Sequence, residues 1–313
     1  MKKTMYMRTL AAMAALSVIS LAGCGNKDNE GSEITDSSSK AVTENSEDSS
    51  SEAEPSAAEE SSDSSSEESS VSVSDDDSLQ KVLDSGKFVL GLDATFKPMG
   101  YTDENDQVVG FDIDVAEEVC RRMGVELVKE GIDWNTKEQD LNAGRIDCIW
   151  NGMSVSPSRA EEMNLSEPYM TNAMVFVVPA NSDVTEMDQL SDKVIGVQNG
   201  STAEEILMAS DIASTIKEQA MATNIEALQQ MELGIVDAVF LDSVVANYEI
   251  TSSGKDYRIL PDGLEEEEYA IGFRKKDQAL RDEVQRILSE MKADGKLGEI
   301  STDWFGSDIT TVK

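Results

Sequence analysis

Histidine is absent from all 313 residues, and that one absence removes several chemistries at once. Ser-His-Asp triads, Cys-His nucleophile pairs and metal sites built on imidazole are excluded. The chain also lacks a phosphate-cradling glycine-rich loop and any Cys-x-x-Cys pair, so neither a cofactor nor a metal site is expected. Bases are scarce: 26 Lys and Arg stand against 62 Asp and Glu, a formal net charge of −36. Nucleic acid is excluded as a partner, because phosphate contacts need clusters of Lys and Arg. The acidity reads first as a solubility device. The acidic run Glu265 to Glu268 is crowded and expected to be solvated, which makes it a poor catalytic pair.

What is present begins with a targeting segment over residues 1–24. Lys2, Lys3 and Arg8 give a positive start, and Leu10 to Leu21 supply an apolar run too short for a permanent membrane span. It ends in Leu21-Ala22-Gly23-Cys24, which resembles the lipobox of bacterial lipoproteins. That resemblance implies cleavage before Cys24 and a lipid on its thiol, and two or more acyl chains hold a protein stably to a membrane. Residues 25–77 are mostly Ser, Glu, Asp and Ala, without an aromatic residue. Such a segment cannot bury enough surface to offset its ordering entropy, so a disordered stalk with an end-to-end distance of about 40 Å is expected. Cys120 and Cys148 remain; they pair in an oxidising compartment or stay as buried free thiols, and the sequence leaves both readings open.

The rest of the chain alternates strand-like apolar runs with helical periods, the pattern of an α/β protein. Phe88 to Leu92 reads as a first strand, and Asp112 to Met123 as a helix burying Ile113, Ala116, Val119, Cys120 and Met123. A long final helix buries Leu280, Val284, Ile287, Leu288 and Met291 and stops at Asp294-Gly295. Residues 139–152, QDLNAGRIDCIWNG, parallel residues 229–242, QQMELGIVDAVFLD. Each unit is a helix end, a glycine past the cap (Gly144, Gly234), an Asp (Asp147, Asp237) and a short buried strand, which points to two similar lobes. Ligands of open α/β sheets bind beyond the carboxyl ends of strands, where Asn151, Gly152, Ser154 and Asp242 fall.

Residues 110–123, GFDIDVAEEVCRRM, resemble the signature of the family 3 extracellular solute-binding proteins, the amino-acid receptors of ABC importers. Asp93 to Met99, Asn151 to Arg159, Gly196 to Thr202 and Phe240 to Asp242 resemble the family's ligand loops, and Lys296 to Gly306 its C-terminal close. The resemblance implies a periplasmic-binding-protein-like type II fold. Its two α/β lobes have mixed sheets, comprise residues 78–176 with 272–313 and residues 177–271, and are joined near Val175 to Pro179 and Tyr269 to Phe273. It also implies a monomer that binds a free amino acid, meets ABC permease subunits, and stands on the extracytoplasmic face of a Gram-positive-type cell through the lipid on Cys24.

An amino acid presents a carboxylate, an ammonium and a side chain, all of which need partners in a water-poor cleft. Arg159 offers a planar fork for the carboxylate, with Ser154 and Gly152 beside it, unless it pairs with Glu161 or Glu162 on the surface. Ser201 or Thr202, followed by Glu204 or Glu205, forms a capping box, and Thr202 at that helix N-terminus is the second carboxylate ligand. Asp242 is the counter-ion for the ammonium, with Gly152 adjacent, and helix capping is its rival role. Asp93, Phe96, Trp134, Asn151 and Gln198 hold positions that line the side-chain pocket in relatives. Asp93 favours an amide or cationic ligand, and Trp134 reads equally as core. Two other outcomes carry weight: a receptor that feeds a sensor, and a dehydratase acting on arogenate or prephenate, enzymes whose fold is similar.

Overall fold

The structure, a computed structural model, describes residues 76–261 and 265–313; Cys24 and the acidic segment through residue 75 lie outside the described residues. The folded part starts with α1 (Ser78–Ser85) and β1 (Lys87–Leu92), then a small meander of β2 (Thr95–Phe96), β3 (Gly100–Thr102) and β4 (Val108–Val109). Next come α2 (Phe111–Met123), β5 (Glu126–Gly131), α3 (Lys137–Asn142), β6 (Cys148–Ile149), α4 (Pro157–Glu162) and β7 (Met163–Leu165). The chain then enters β8 (Met170–Pro179), β9 (Val194–Gln198), α5 (Thr202–Ala209), β10 (Lys217–Met221), α6 (Asn224–Glu232) and β11 (Ala238–Asp242). It continues through α7 (Ser243–Thr251), β12 (Tyr257–Ile259) and β13 (Glu265–Tyr269), and returns with β14 (Gly272–Arg274), α8 (Gln278–Ala293) and α9 (Lys296–Phe305).

Two mixed sheets organise these elements, in the orders β5-β1-β6-β14-β7 and β10-β9-β11-β8-β12, with β13 also on β8. In each, three parallel strands meet an antiparallel one: β6 lies between β1 and β14, and β11 lies between β9 and β8. The repeated sequence unit explains the likeness. Gly144 and Gly234 both take a φ of +72°, which ends the preceding helix without a Cβ penalty. Asp147 and Asp237 then accept the backbone N–H of Val89 and Val194, each at 2.9 Å, and so tie the start of one strand to its parallel neighbour.

Helix α2 is placed by its sequence at every level. Asp112 and Asp114 occupy its first turn and Arg121 and Arg122 its last, complementing the macrodipole, and Gly124 caps it with an N–H to the Cys120 carbonyl. Ile113, Ala116, Val119 and Cys120 are buried on one face, with Met123 partly buried beside them. Helix α8 buries the whole expected stripe and ends at Asp294, but a further helix, α9, follows it. Strand β11 is buried on both faces: Ala238 and Phe240 pack towards α5, and Val239 and Leu241 towards α6. Each such large side chain contributes about 2 kcal/mol of burial. Cys120 and Cys148 are both free and buried, and burial raises the Cys120 thiol to about 12.

The passages between the sheets lie at residues 166–169 and 270–271, where Ser166 N–H donates to the Ile271 carbonyl and Tyr169 N–H to the Tyr269 carbonyl, both at 2.9 Å. The first passage is upstream of the expected one. Val175 to Pro179 belong to β8, a ten-residue strand inside the second sheet, and their apolar character reflects burial there rather than a crossing. The folded part also begins before residue 78, since Asp76 accepts the Ala279 N–H at 2.6 Å.

Candidate functional site

The carboxyl ends of β1, β6, β9 and β11 converge on one cleft between the sheets. From the β1 end, Asp93 donates its N–H to Asn151 Oδ1 at 3.0 Å, and its own Oδ1 accepts from the Thr95 N–H at 2.9 Å and hydroxyl at 2.7 Å. Asn151 and Gly152 follow β6. Gly152 has a φ of +56°, and a Cβ there would stand 2.9 Å from Phe96 Cε1 and 3.0 Å from Tyr269 Cε2. Its N–H donates to Asp112 Oδ2 at 2.7 Å, which removes it as a donor for a ligand carboxylate and leaves its carbonyl. The expected backbone contact from Gly152 to that carboxylate is therefore corrected.

Helix α4 sets Arg159. Ser156 caps it by accepting the Arg159 N–H at 3.3 Å, and Pro157 pre-sets the first turn. The guanidinium turns back into the cleft, donating to the Ser154 carbonyl at 2.8 Å and to the Gly200 carbonyl at 3.5 Å. Arg159 is 3% exposed, while Glu161 and Glu162 lie in solvent, so the surface pairing is not formed. Among the described residues its side chain makes no ion pair, and burial lowers its proton affinity.

Across the cleft, β9 ends at Gln198 and the chain turns through Gly200 into α5. Ser201 is the N-cap, accepting the Glu204 N–H at 3.1 Å, while Glu204 accepts the Gly200 N–H at 2.6 Å. Thr202 is thus the first helical residue, and its buried hydroxyl oxygen has no hydrogen-bond partner in the protein. The buried Asn151 Nδ2 is likewise without one. Gln198 Nε2 donates to Asp93 Oδ2 at 2.7 Å, joining the two sides.

Asp242 ends β11 at 6% exposure, and its side chain makes no capping bond to α7. Instead Oδ1 accepts from Asn172 Nδ2 at 2.9 Å and Tyr269 Oη at 2.5 Å. Burial and the neighbouring Glu267 raise its proton affinity well above that of an ordinary carboxyl. Glu267 corrects the reading of the acidic run: Glu266 and Glu268 are exposed, but Glu267 is 9% exposed, with Oε1 held by Asn172 Nδ2 at 2.6 Å.

One narrow cavity brings together Asp93, Phe96, Trp134, Asn151, Gly152, Ser154, Arg159, Gln198, Thr202 and Asp242, along with Met174 and Ser201. Trp134 serves both readings, lining the cavity and packing in a cluster with Leu141, Ile146 and Met153. Lys137, not anticipated, is buried one turn beyond Trp134 and donates to the Gly200 carbonyl at 3.0 Å and the Trp134 carbonyl at 3.2 Å. No sequence signal marked it, since a lysine that opens a helix is ordinarily solvated.

Two α/β units around a cleft lined by opposed charges and unpartnered polar groups define a type II periplasmic-type solute-binding fold. The chain belongs to the bacterial extracellular solute-binding proteins, family 3, whose model matches residues 88–307. It is 25% identical over 234 residues to the L-cystine-binding protein TcyJ of Escherichia coli (strain K12), covering 74% of this chain and 87% of that one. It is 28% identical over 221 residues to the arginine-binding extracellular protein ArtP of Bacillus subtilis (strain 168), covering 70% and 86%. A crystal structure of an ABC uptake transporter substrate-binding protein from Streptococcus pneumoniae with bound histidine is similar at a TM-score of 0.73 and 34% identity, over 76% and 99% of the two chains. Among the described residues no helix is long and apolar enough to cross a membrane.

Proposed function

We propose that this protein captures a free polar amino acid outside the cytoplasm and delivers it to an ABC importer, its two lobes closing over the ligand. The observation that carries this reading is the opposition of Arg159 and Asp242 on one cavity. A buried guanidinium held only by carbonyl oxygens is completed by a carboxylate, and a buried carboxylate by an ammonium. Thr202 Oγ1 and Ser154 add to the carboxylate end, and the Gly152 carbonyl to the ammonium end. Phe96 and Trp134 form apolar walls, while Asp93, Asn151 and Gln198 supply polar contacts for the side chain. Relatives named for cystine and arginine, and a solved structure with bound histidine, support a polar or cationic ligand.

In this reading the protein works as a monomer, anchored through a lipid on Cys24, and the acidic segment after it is a stalk that lets the receptor reach the permease at the same membrane. One lobe carries the sheet β5-β1-β6-β14-β7 and the other the sheet built on β8, so the boundary between them falls at residues 166–169 rather than at 176, and the protein binds without transforming its ligand. A sensor partner in place of an importer uses the same capture chemistry. The test is a thermal-shift screen of the twenty amino acids with cystine and ornithine. A polar amino acid raises the melting temperature; turnover of arogenate or prephenate by the purified protein overturns the reading in favour of an enzyme.

A further inference from the structure

Three strands of the second sheet meet at one amide. Asn172 of β8 stands opposite Glu267 of β13 in the register, and Asp242 ends β11 on the other side of β8. Asn172 Nδ2 donates to Glu267 Oε1 at 2.6 Å and to Asp242 Oδ1 at 2.9 Å, so two buried carboxyl groups share a single nitrogen. Glu267 Oε2 is buried and has no hydrogen-bond partner in the protein. Asn172, Glu267, Asp242 and Tyr269 all belong to strands of one sheet, so the pairing does not depend on how far the cleft is closed.

Two carboxyl groups this close, away from water, do not both ionise unless a cation joins them. The surroundings hold few cations. From α4, Arg159 faces both acids, but it is also the group the proposed function assigns to the ligand carboxylate. Lys137 lies beyond it and is engaged by Gly200, Trp134 and Glu138. Glu138 and, on α5, Glu205 add negative charge around Arg159. On β13 itself Glu266 and Glu268 are solvated, and the Tyr269 phenol, with Tyr169 behind it, is neutral. Burial raises the proton affinity of both acids; Glu267 raises that of Asp242 further, while Asn172, Ser154, Asp242 and Arg159 act against the rise at Glu267.

We infer that Asp242 and Glu267 hold one proton between them before capture, and that the ligand's ammonium displaces it to solvent. The inference rests on the reading of Asp242 as the ammonium partner. The balance is simple: protein carrying the shared proton plus a zwitterionic amino acid gives the complex with both carboxyl groups ionised and one proton in bulk water. No covalent bond to carbon forms or breaks. Capture then tightens with rising pH, by about tenfold per unit over the range in which the pair holds its proton.

Isothermal titration calorimetry at neutral pH, in phosphate and in Tris, reads this directly. L-arginine, L-histidine and L-cystine are the first probes, followed by the remaining amino acids. The expected result is a binding enthalpy that differs between the buffers by about one buffer ionisation per ligand, with the difference abolished in Glu267→Gln. Equal enthalpies in the two buffers for the unaltered protein overturn the inference while leaving the capture reading intact. Proton release that persists in Glu267→Gln overturns the assignment to this pair. Binding heat from none of the amino acids overturns the capture reading and the inference together.

Discussion

Gln198 Nε2 donates to Asp93 Oδ2 at 2.7 Å, so the last residue of β9 and the residue that follows β1 are joined across the cleft. The two residues hold equivalent places in the repeated architecture. Asp93 is buried and makes no ion pair among the described residues; its carboxylate relies on Thr95 and Gln198. A ligand side chain entering here meets an anion already backed by an amide.

Asp93→Asn tests what that anion selects. It removes the charge and keeps the shape, so a cationic ligand loses about tenfold or more in affinity while an amide ligand is largely spared. Calorimetric titration of the variant with arginine and with glutamine separates the two outcomes.

Arg159→Met separates binding from stability. The guanidinium is buried without an ion pair among the described residues, so it carries a desolvation cost that an apolar chain of similar volume does not. The unliganded variant is expected to melt no lower than the parent, and ligand affinity to fall by about 3 kcal/mol or more. Differential scanning calorimetry with and without ligand measures both quantities.

Gly152→Ala strains the floor of the cavity. The new Cβ meets Phe96 and Tyr269 at 2.9 and 3.0 Å, on a backbone with φ of +56°. A loss of about 1–2 kcal/mol in stability is expected, together with weaker binding, and chemical denaturation checks the first.

Asp112 gives the fold a pH dependence. Tyr169 Oη and the Gly152 N–H donate to its Oδ2 at 3.0 and 2.7 Å, yet burial dominates and raises its pKa from 3.8 to about 7. A carboxyl that holds its proton longer when folded stabilises the fold below 3.8, and this contribution is lost as pH rises towards about 7. Asp112→Asn removes that slope: its stability changes less between pH 4 and 7 than the parent's, as followed by urea denaturation at a series of pH values.

Much of this is legible in the sequence. The period of residues 112–123 placed α2, because the charges of its two ends and the glycine after it agree with its buried stripe. The paired units around Asp147 and Asp237 announced two similar sheets, since each carboxylate performs the same tie to a neighbouring strand. Thr202 and Asp242 stand on the cavity because a helix start and a strand end are where such folds gather polar groups, whereas Arg159, inside α4, is marked by the resemblance of residues 151–159 to a family ligand loop.

What escaped the sequence depended on register and on burial from a distance. A run of four glutamates has no period, so only the pairing of Glu267 with Asn172 shows which one faces inward. The resemblance implies a crossing near Val175 to Pro179, and only the pairing of that run with β11 and β12 shows it to lie inside a strand of the second sheet. Lys137 is buried by a loop more than sixty residues away, through the Gly200 carbonyl, a contact invisible in local composition.

The central claim is that Arg159 and Asp242 grip the two charged ends of one amino acid. Its most direct test is calorimetric titration of the unaltered protein, Arg159→Ala and Asp242→Ala with the amino acid that shifts the melting temperature most. The account predicts saturable one-to-one binding to the parent and a loss of most of the affinity in each variant, with the fold retained by circular dichroism. Unchanged affinity in both folded variants would contradict it.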